Sequence, residues 1–238
     1  MKNFMKKVIT MSVLAFAVYA ISPNLLPTAY ADGSPLYEKC KYERTQQDGI
    51  KCVENEYNKL VKKNPKDEKM YGEMIFIYLQ AEQYDKAVNI CNTGIKAVPN
   101  SYKLYNMLGT VQKDLGNTDK AIAAFTKSIE IEPTEPPYYN RARLYASIGE
   151  YDKAISDYSM AIKYSETNPD AYKERAIAKL TKGAYDKTLT DKDYSELAPS
   201  AFADFDMALK QYRETNNPKG YQEVIELVEG LNKAIKSK

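Results

Sequence analysis

Apolar and polar positions alternate along this chain with a helical period. From Tyr138 to Tyr164, Tyr138, Arg141, Ala142 and Tyr145 follow i, i+3, i+4, i+7 spacing, and a second stripe runs through Ala154, Tyr158, Ala161 and Ile162. Each stripe wants a partner helix. Between them Ile148 and Gly149 lead into a turn, where positive φ is cheap only for glycine. Two antiparallel helices result, with the small side chains of Ala142 and Ala154 opposite one another and Tyr138 and Tyr158 filling the wider ends.

The same unit recurs. Ala87, Ala121 and Ala154 lie 34 and 33 residues apart, and Tyr71, Tyr105, Tyr138 and Tyr172 lie 34, 33 and 34 apart. Independent markers holding one period indicate a repeat architecture. The unit from Tyr102 to Pro133 is the cleanest, with Tyr105, Leu108, Gly109, the turn at Gly116, then Ala121, Phe125, Ser128, Ile129 and Pro133. Asn100 and Ser101 suit its helix start, and Pro133 stops it. In the preceding unit Cys91 occupies the place of Phe125 and Tyr158, and reads as a small buried apolar side chain.

On these residues the chain resembles the tetratricopeptide repeat family, whose unit runs aromatic, Leu-Gly, Tyr, Ala, aromatic, Pro at a period of 34. Tyr105, Leu108, Gly109, Ala121, Phe125 and Pro133 match closely, whereas Ala142 and Ala176 stand where Gly is usual and Pro169 comes late. The resemblance is strong over Glu68 to Ala176 and weak on the flanks. It implies an all-α fold, a right-handed superhelix of stacked antiparallel hairpins. Residues 34–66 read as a degenerate hairpin; 67–100, 101–133, 134–167 and 168–213 read as repeats; and 218–238 as a terminal capping helix, with Tyr221, Val224, Ile225, Val228, Leu231 and Ile235 on one stripe.

The last repeat is interrupted. Its Ala, aromatic, Ala-Leu set reappears only at Ala201, Phe205, Ala208 and Leu209, thirteen residues late, so an insertion is expected near 184–199. Asp191, Asp193 and Ser195 imitate the start of a calcium loop, but no Gly follows and Phe202 replaces the closing Glu, so a solvated loop is the expectation.

At the other end, Lys2, Lys6 and Lys7 precede the mostly apolar run Val8 to Ile21, and Ala29, Tyr30, Ala31 provide a small-x-small site. Residues 1–31 therefore read as a secretory signal cleaved after Ala31, with Val18, Tyr19, Ala20 a weaker second site. The run is shorter than the roughly 20 residues a membrane span needs, and an uncleaved anchor is the competing reading. An exported chain makes a Cys40–Cys52 disulfide the expectation, stapling a weak hairpin of Tyr37, Cys40, Val53, Tyr57, Leu60 and Val61 about a turn at Gly49; two free thiols are the alternative.

Composition narrows the chemistry. The 238 residues carry a formal charge of +2, and a chain starting at Asp32 would lose three lysines and carry −1, unlike a nucleic-acid binder. No His is present, which removes the commonest general base and metal ligand. No nucleophile elbow, phosphate loop or metal spacing appears, and no cofactor is implied. The expected function is a non-catalytic scaffold outside the cytoplasm that binds a protein or peptide partner. An enzyme or ligand-binding protein with its site in the insertion or the N-terminal hairpin is the alternative.

In the resembling family, first helices line the binding face. Positions there that the packing stripe leaves free are Lys69, Glu73 and Phe76; Asn106, Thr110 and Lys113; Tyr139, Asn140 and Arg143; and Lys173 and Ile177. The candidate groove is Phe76, Asn106, Thr110, Lys113, Tyr139, Asn140, Arg143 and Lys173, centred on Asn106, Tyr139, Asn140 and Arg143. Asn amides bond a peptide backbone in both senses, and Arg143 with Lys173 suits a carboxylate. The carboxylate clamp by which some family members hold a chaperone terminus is a poor match. Asn140 fits it, but Gly72, Asp170 and Glu174 fall where that set or its shifted copies want Asn, Lys or Arg.

Overall fold

The computed structural model describes residues 46–185 and 191–236, together with Leu36 and Cys40. Residues 1–31, read above as a secretory signal, and Tyr37 lie outside the described residues. Ten helices follow one another among the described residues: α1 (Gln46–Lys63), α2 (Glu68–Gln80), α3 (Tyr84–Ala97), α4 (Tyr102–Asp114), α5 (Thr118–Ile131), α6 (Glu135–Ser147), α7 (Tyr151–Tyr164), α8 (Pro169–Tyr185), α9 (Asp191–Glu214) and α10 (Pro218–Lys236). The all-α expectation is met. Among the described residues no helix is long and apolar enough to cross a membrane.

The helices form two compact units that divide between Pro133 and Thr134. In the first, α1 to α5, each helix packs on the next in sequence. Its core gathers Tyr57, Tyr71, Met74, Ile75, Ala87, Cys91, Leu104 and Val111, with Leu36 and Cys40 from the preceding segment. Cys40 and Cys52 are bonded. Gly49 is not the turn the sequence pattern suggests, because α1 already runs through it from Gln46. Asp48 in the first helical turn faces the positive end of the helix, and that bias together with the buried Ile50 and Val53 outweighs the roughly 1 kcal/mol a helical glycine costs.

The second unit, α6 to α10, likewise packs each helix on its neighbour. Ala142, Ala154 and Tyr158 are buried in one cluster, and Tyr172, Ala176, Leu180, Ala201, Phe205, Ala208, Tyr212, Val224 and Leu231 share another. Val224 and Leu231 place the stripe of α10 against α9, as a terminal cap requires.

Four hairpin turns use one hydrogen-bond pattern. The N–H groups of Gln83, Asn117, Glu150 and Asn217 donate to the carbonyls of Tyr78, Gln112, Tyr145 and Tyr212, and the preceding N–H groups donate to Leu79, Lys113, Ala146 and Arg213. This is the Schellman ending, whose pivot must be left-handed. Gly116 and Gly149 sit there with φ of 74° and 81°, but Glu82 and Asn216 hold the same pivot at 55° and 51°. A side chain in that region costs on the order of 1 kcal/mol unless it is Gly or Asn. Glu82→Gly is therefore expected to raise stability by about 1 kcal/mol in urea unfolding, and a neutral or negative change would refute the strain.

The starts of the first helices α2, α4, α6 and α8 repeat too, with one exception; the second helices α3, α5 and α7 start without a side-chain cap. Asp67, Ser101 and Asn168 each cap the following helix by accepting from its early N–H groups. Thr134 occupies the corresponding place before α6, yet its buried hydroxyl has no partner. Pro136 and Pro137 stand at the two positions whose N–H groups a cap would bind, and proline has none. Gly109 explains another motif residue. A Cβ there would lie 2.5 Å from the Phe125 ring, whereas the corresponding Ala142 is accommodated in full burial.

The insertion is a correction. The expected loop over 184–199 is instead helix on both sides, α8 continuing to Tyr185 and α9 starting at Asp191. The two arms reach 17 and 24 residues, against 13 and 14 in α6 and α7. Ala176, Leu180 and Ala184 continue the buried stripe of α8 past the point where the repeat frame ends it, and Ala201 and Phe205 meet that core from α9. Counting in repeat lengths hides this, because the apolar period inside the insertion stays helical. Asp191 and Asp193, the residues that imitate a calcium loop, lie in helical backbone.

An ion pair keeps the interrupted hairpin in register. Arg141 on α6 forks onto Asp157 on α7, with Nε donating to Oδ2 at 2.7 Å and Nη2 to Oδ1 at 2.9 Å. Arg175 on α8 makes the same fork onto Asp204 on α9, at 2.9 and 2.6 Å. The first pair is 16 residues apart and the second 29, so the difference is the thirteen inserted residues. The lengthened hairpin thus re-forms the repeat's own contact beyond the insertion.

Candidate functional site

The groove residues read from the sequence fall in both units. In the first, Phe76 is partly buried on α2. On α4, the Thr110 hydroxyl donates to the Asn106 backbone carbonyl at 3.2 Å, the Asn106 Oδ1 is buried without a partner, and Lys113 pairs with Asp114 at 3.2 Å. Thr110 and Lys113 are thus turned to contacts on their own helix. In the second unit the structure places Tyr139, Asn140 and Arg143 on α6 and Lys173 on α8.

Tyr139 is the hinge of the second set. Its ring packs against Tyr158 at 5.9 Å between centroids, and the exposed Arg143 guanidinium lies over it at 5.9 Å. Burial pushes its hydroxyl above the ordinary tyrosine range, with Glu174 and Asp170 adding to the effect against Arg143 and Lys173. Asn140 is partly buried beside it in sequence. A planar, partly covered aromatic with one polar edge suits recognition of another chain.

Lys173 is already engaged. Its ammonium is 2.8 Å from Asp170 and 3.6 Å from Glu223 of α10, lies over the Tyr212 ring at 5.7 Å, and is 16% exposed. Burial pulls its pKa down, but the Asp170 carboxylate outweighs that and leaves it raised. Asp170 in turn accepts from the Tyr212 hydroxyl at 2.5 Å, and although burial raises its pKa, the Lys173 and Tyr212 hydrogen bonds bring it below the usual carboxylate range. The cationic pair expected to take a carboxylate therefore keeps one exposed member, Arg143.

Glu174 contrasts with its neighbours. It follows Lys173 on α8 and is partly buried, yet among the described residues it makes no ion pair and no side-chain hydrogen bond. Burial pushes its carboxyl above the usual range; Lys173 and Arg143 pull it back, while Asp170 and Glu223 push with burial. Sequence reasoning sees Asp170 and Glu174 only as departures from a carboxylate clamp. Their i, i+4 spacing on α8, with Lys173 beside them, is the signal that they share a face. Tyr212 and Glu223 have no such signal, since α9 and α10 reach Lys173 only through tertiary packing.

Residues 102–135 match the tetratricopeptide repeat model and residues 142–183 a second TPR repeat model. Those segments are tetratricopeptide repeats. No curated protein matches the chain. Among solved structures, the chain is similar to MamA, at 21% identity over 76% of this chain and 96% of that one, with a TM-score of 0.60. It is also similar to a thermophilic TPR protein of Thermus thermophilus, at 16% identity over 95% and 98% of the two chains and a TM-score of 0.52. YrrB, described as a TPR protein with an unusual peptide-binding site, matches at 14% identity over 76% and 96%, with a TM-score of 0.50. These likenesses establish the fold as an all-α TPR solenoid. At such identities they carry no residue roles, so the site rests on its own geometry.

The N-terminal hairpin and Cys91 are the other places where chemistry was conceivable. Cys91 is fully buried and free, and burial pushes its thiol up to about 12, far from the thiolate a nucleophile needs. Cys40 and Cys52 are spent on their bond.

Proposed function

We propose that this chain is a non-catalytic protein-interaction scaffold, working outside the cytoplasm, which captures a peptide segment or partner helix on the face that α6 and α8 build in the second unit. The observation that carries the reading is Tyr139, an aromatic ring held by Tyr158, with Asn140 and Arg143 beside it and chemistry suited to holding a chain rather than transforming one. The expectation of export rests on the basic, apolar and small-residue order of residues 1–31, with the Cys40–Cys52 bond consistent with an oxidising compartment. Burial raises the hydroxyls of Tyr139, Tyr158 and Tyr212 above the ordinary tyrosine range, which suits packing better than proton abstraction.

A displayed library of random dodecapeptides selected on the wild-type chain tests this. Enriched peptides are expected to bind Tyr139→Ala and Asn140→Ala variants about tenfold or more weakly, as substitution of a central aromatic anchor does. Helical circular dichroism would confirm that each variant is folded. Peptides that bind folded variants as tightly as wild type would place the binding face elsewhere.

A further inference from the structure

We infer that the Cys40–Cys52 bond is a site of thiol–disulfide exchange, entered at Cys52 by a dithiol, and that opening it frees α1 while α2 to α5 stay folded. The inference does not rest on the peptide-capture reading.

The two sulfurs differ in access. Cys40 is 6% exposed and belongs to the core of the first unit, whereas Cys52 is half-buried on α1. Cys52 also lines a surface cleft of about 360 Å³, with Asp48, Lys51, Asn55, Glu56 and Lys59 as the other walls. Two lysines and two carboxylates balance there, so an incoming thiolate meets no net repulsion. Which sulfur can be reached decides the course of exchange. The thiolate attacks Cys52 Sγ and forms a new S–S bond, while the electron pair of the broken bond leaves on Cys40 Sγ, which takes a proton from water. The second thiol of the dithiol then attacks the sulfur bonded to Cys52, and Cys52 leaves and is protonated in turn. The protein is reduced by two electrons and the dithiol departs as a disulfide.

The helix released is α1. Apart from the bond, Glu54 ties it down, accepting from the Tyr78 hydroxyl of α2 at 2.8 Å and the Lys86 ammonium of α3 at 2.9 Å. Ile50, Val53 and Tyr57 add apolar contact, but the Tyr57 hydroxyl is buried without a partner, which offsets part of the gain from burying its ring. By contrast, α2 to α5 are tied to one another without α1. Ser101 before α4 donates to Glu68 of α2, and Ser128 of α5 donates to the Tyr102 carbonyl of α4 at 2.7 Å. In a stack where each element leans on its neighbours, one part opens while the rest stays folded.

Cys91 provides an internal reporter, since it is free and fully buried on α3 and reacts only if that core opens. The full-length chain in native buffer is treated with dithiothreitol, then labelled with iodoacetamide and mapped by peptide mass. Labelling of Cys40 and Cys52 at least about tenfold faster than Cys91 is expected, with amide exchange in α1 rising about a hundredfold and α3 to α5 unchanged. Glutathione quenched in acid should leave its adduct on Cys52. An adduct on Cys40 would overturn entry at Cys52. A bond that resists dithiothreitol in the folded chain, or yields only as fast as Cys91 is labelled, would overturn the exchange site. Reduction that leaves α1 amides protected would overturn the release of α1.

Discussion

Replacing Asp204 by Ala is expected to destabilise the second unit by about 3 kcal/mol. The carboxylate is 8% exposed and receives both the bidentate fork of Arg175 and the Lys179 ammonium at 2.7 Å. Its removal leaves two partly buried cations with one neutral acceptor each, Ser159 Oγ for Arg175 and the Ser200 carbonyl for Lys179. Those contacts hold the loss to the lower part of the range for broken buried pairs. Asp157→Ala removes the fork of one cation, Arg141, with no second ammonium involved, and its cost is expected to be smaller. Urea unfolding followed by circular dichroism checks both. Since repeat proteins lose cooperativity readily, the Asp204 variant should also show an early transition for part of the helical signal. A loss below 1 kcal/mol, or equal losses at the two sites, would mean that the forks only decorate hairpins held by packing.

Cleaving the Cys40–Cys52 bond is expected to cost the first unit about 3 kcal/mol, the chain-entropy value for closing a loop of this size. Sequence separation is 12, and the bond ties Cys40 to α1, whose Ile50, Val53 and Tyr57 enter the core of α2 and α3. Cys52→Ser should reproduce the loss, and reductant should then have no further effect. Under denaturing conditions the untreated chain should take up one alkyl group, at Cys91, and the reduced chain three. Three without reduction would remove the bond. An unchanged midpoint after verified reduction would show that apolar packing of Leu36 and Val53 suffices.

Much of the fold was written in spacing, because the helical period and the repeat period are local properties of the chain. Ala87, Ala121 and Ala154 are fully buried, as their shared register demands, and Ser101 caps α4 as its chemistry suggests. The glycine rule holds at Gly116 and Gly149 and fails elsewhere: Gly49 is helical, and Glu82 and Asn216 take a left-handed pivot without being glycine. The Schellman hydrogen bonds decide those turns, and residue type only tilts the cost.

The candidate site was less legible. Tyr139, Asn140 and Arg143 follow from one helix face, and their shared surface needs only the period of α6. The charge of that surface does not follow from it. Lys173 looks like a free cation in the sequence and is held by Asp170 and Glu223 in the fold, because α10 folds back to bring Glu223 within 3.6 Å.

What the sequence determined by itself was the repeat unit, its all-α character and the face each helix turns inward, since all three depend on residues within one or two turns of each other. Only the tertiary structure decided that the described part of the insertion lengthens two helices, one to Tyr185 and one from Asp191, and which charges near Tyr139 are already satisfied. Those outcomes turn on packing and on Coulomb partners brought from helices distant in the chain, and no spacing rule within a single helix contains them.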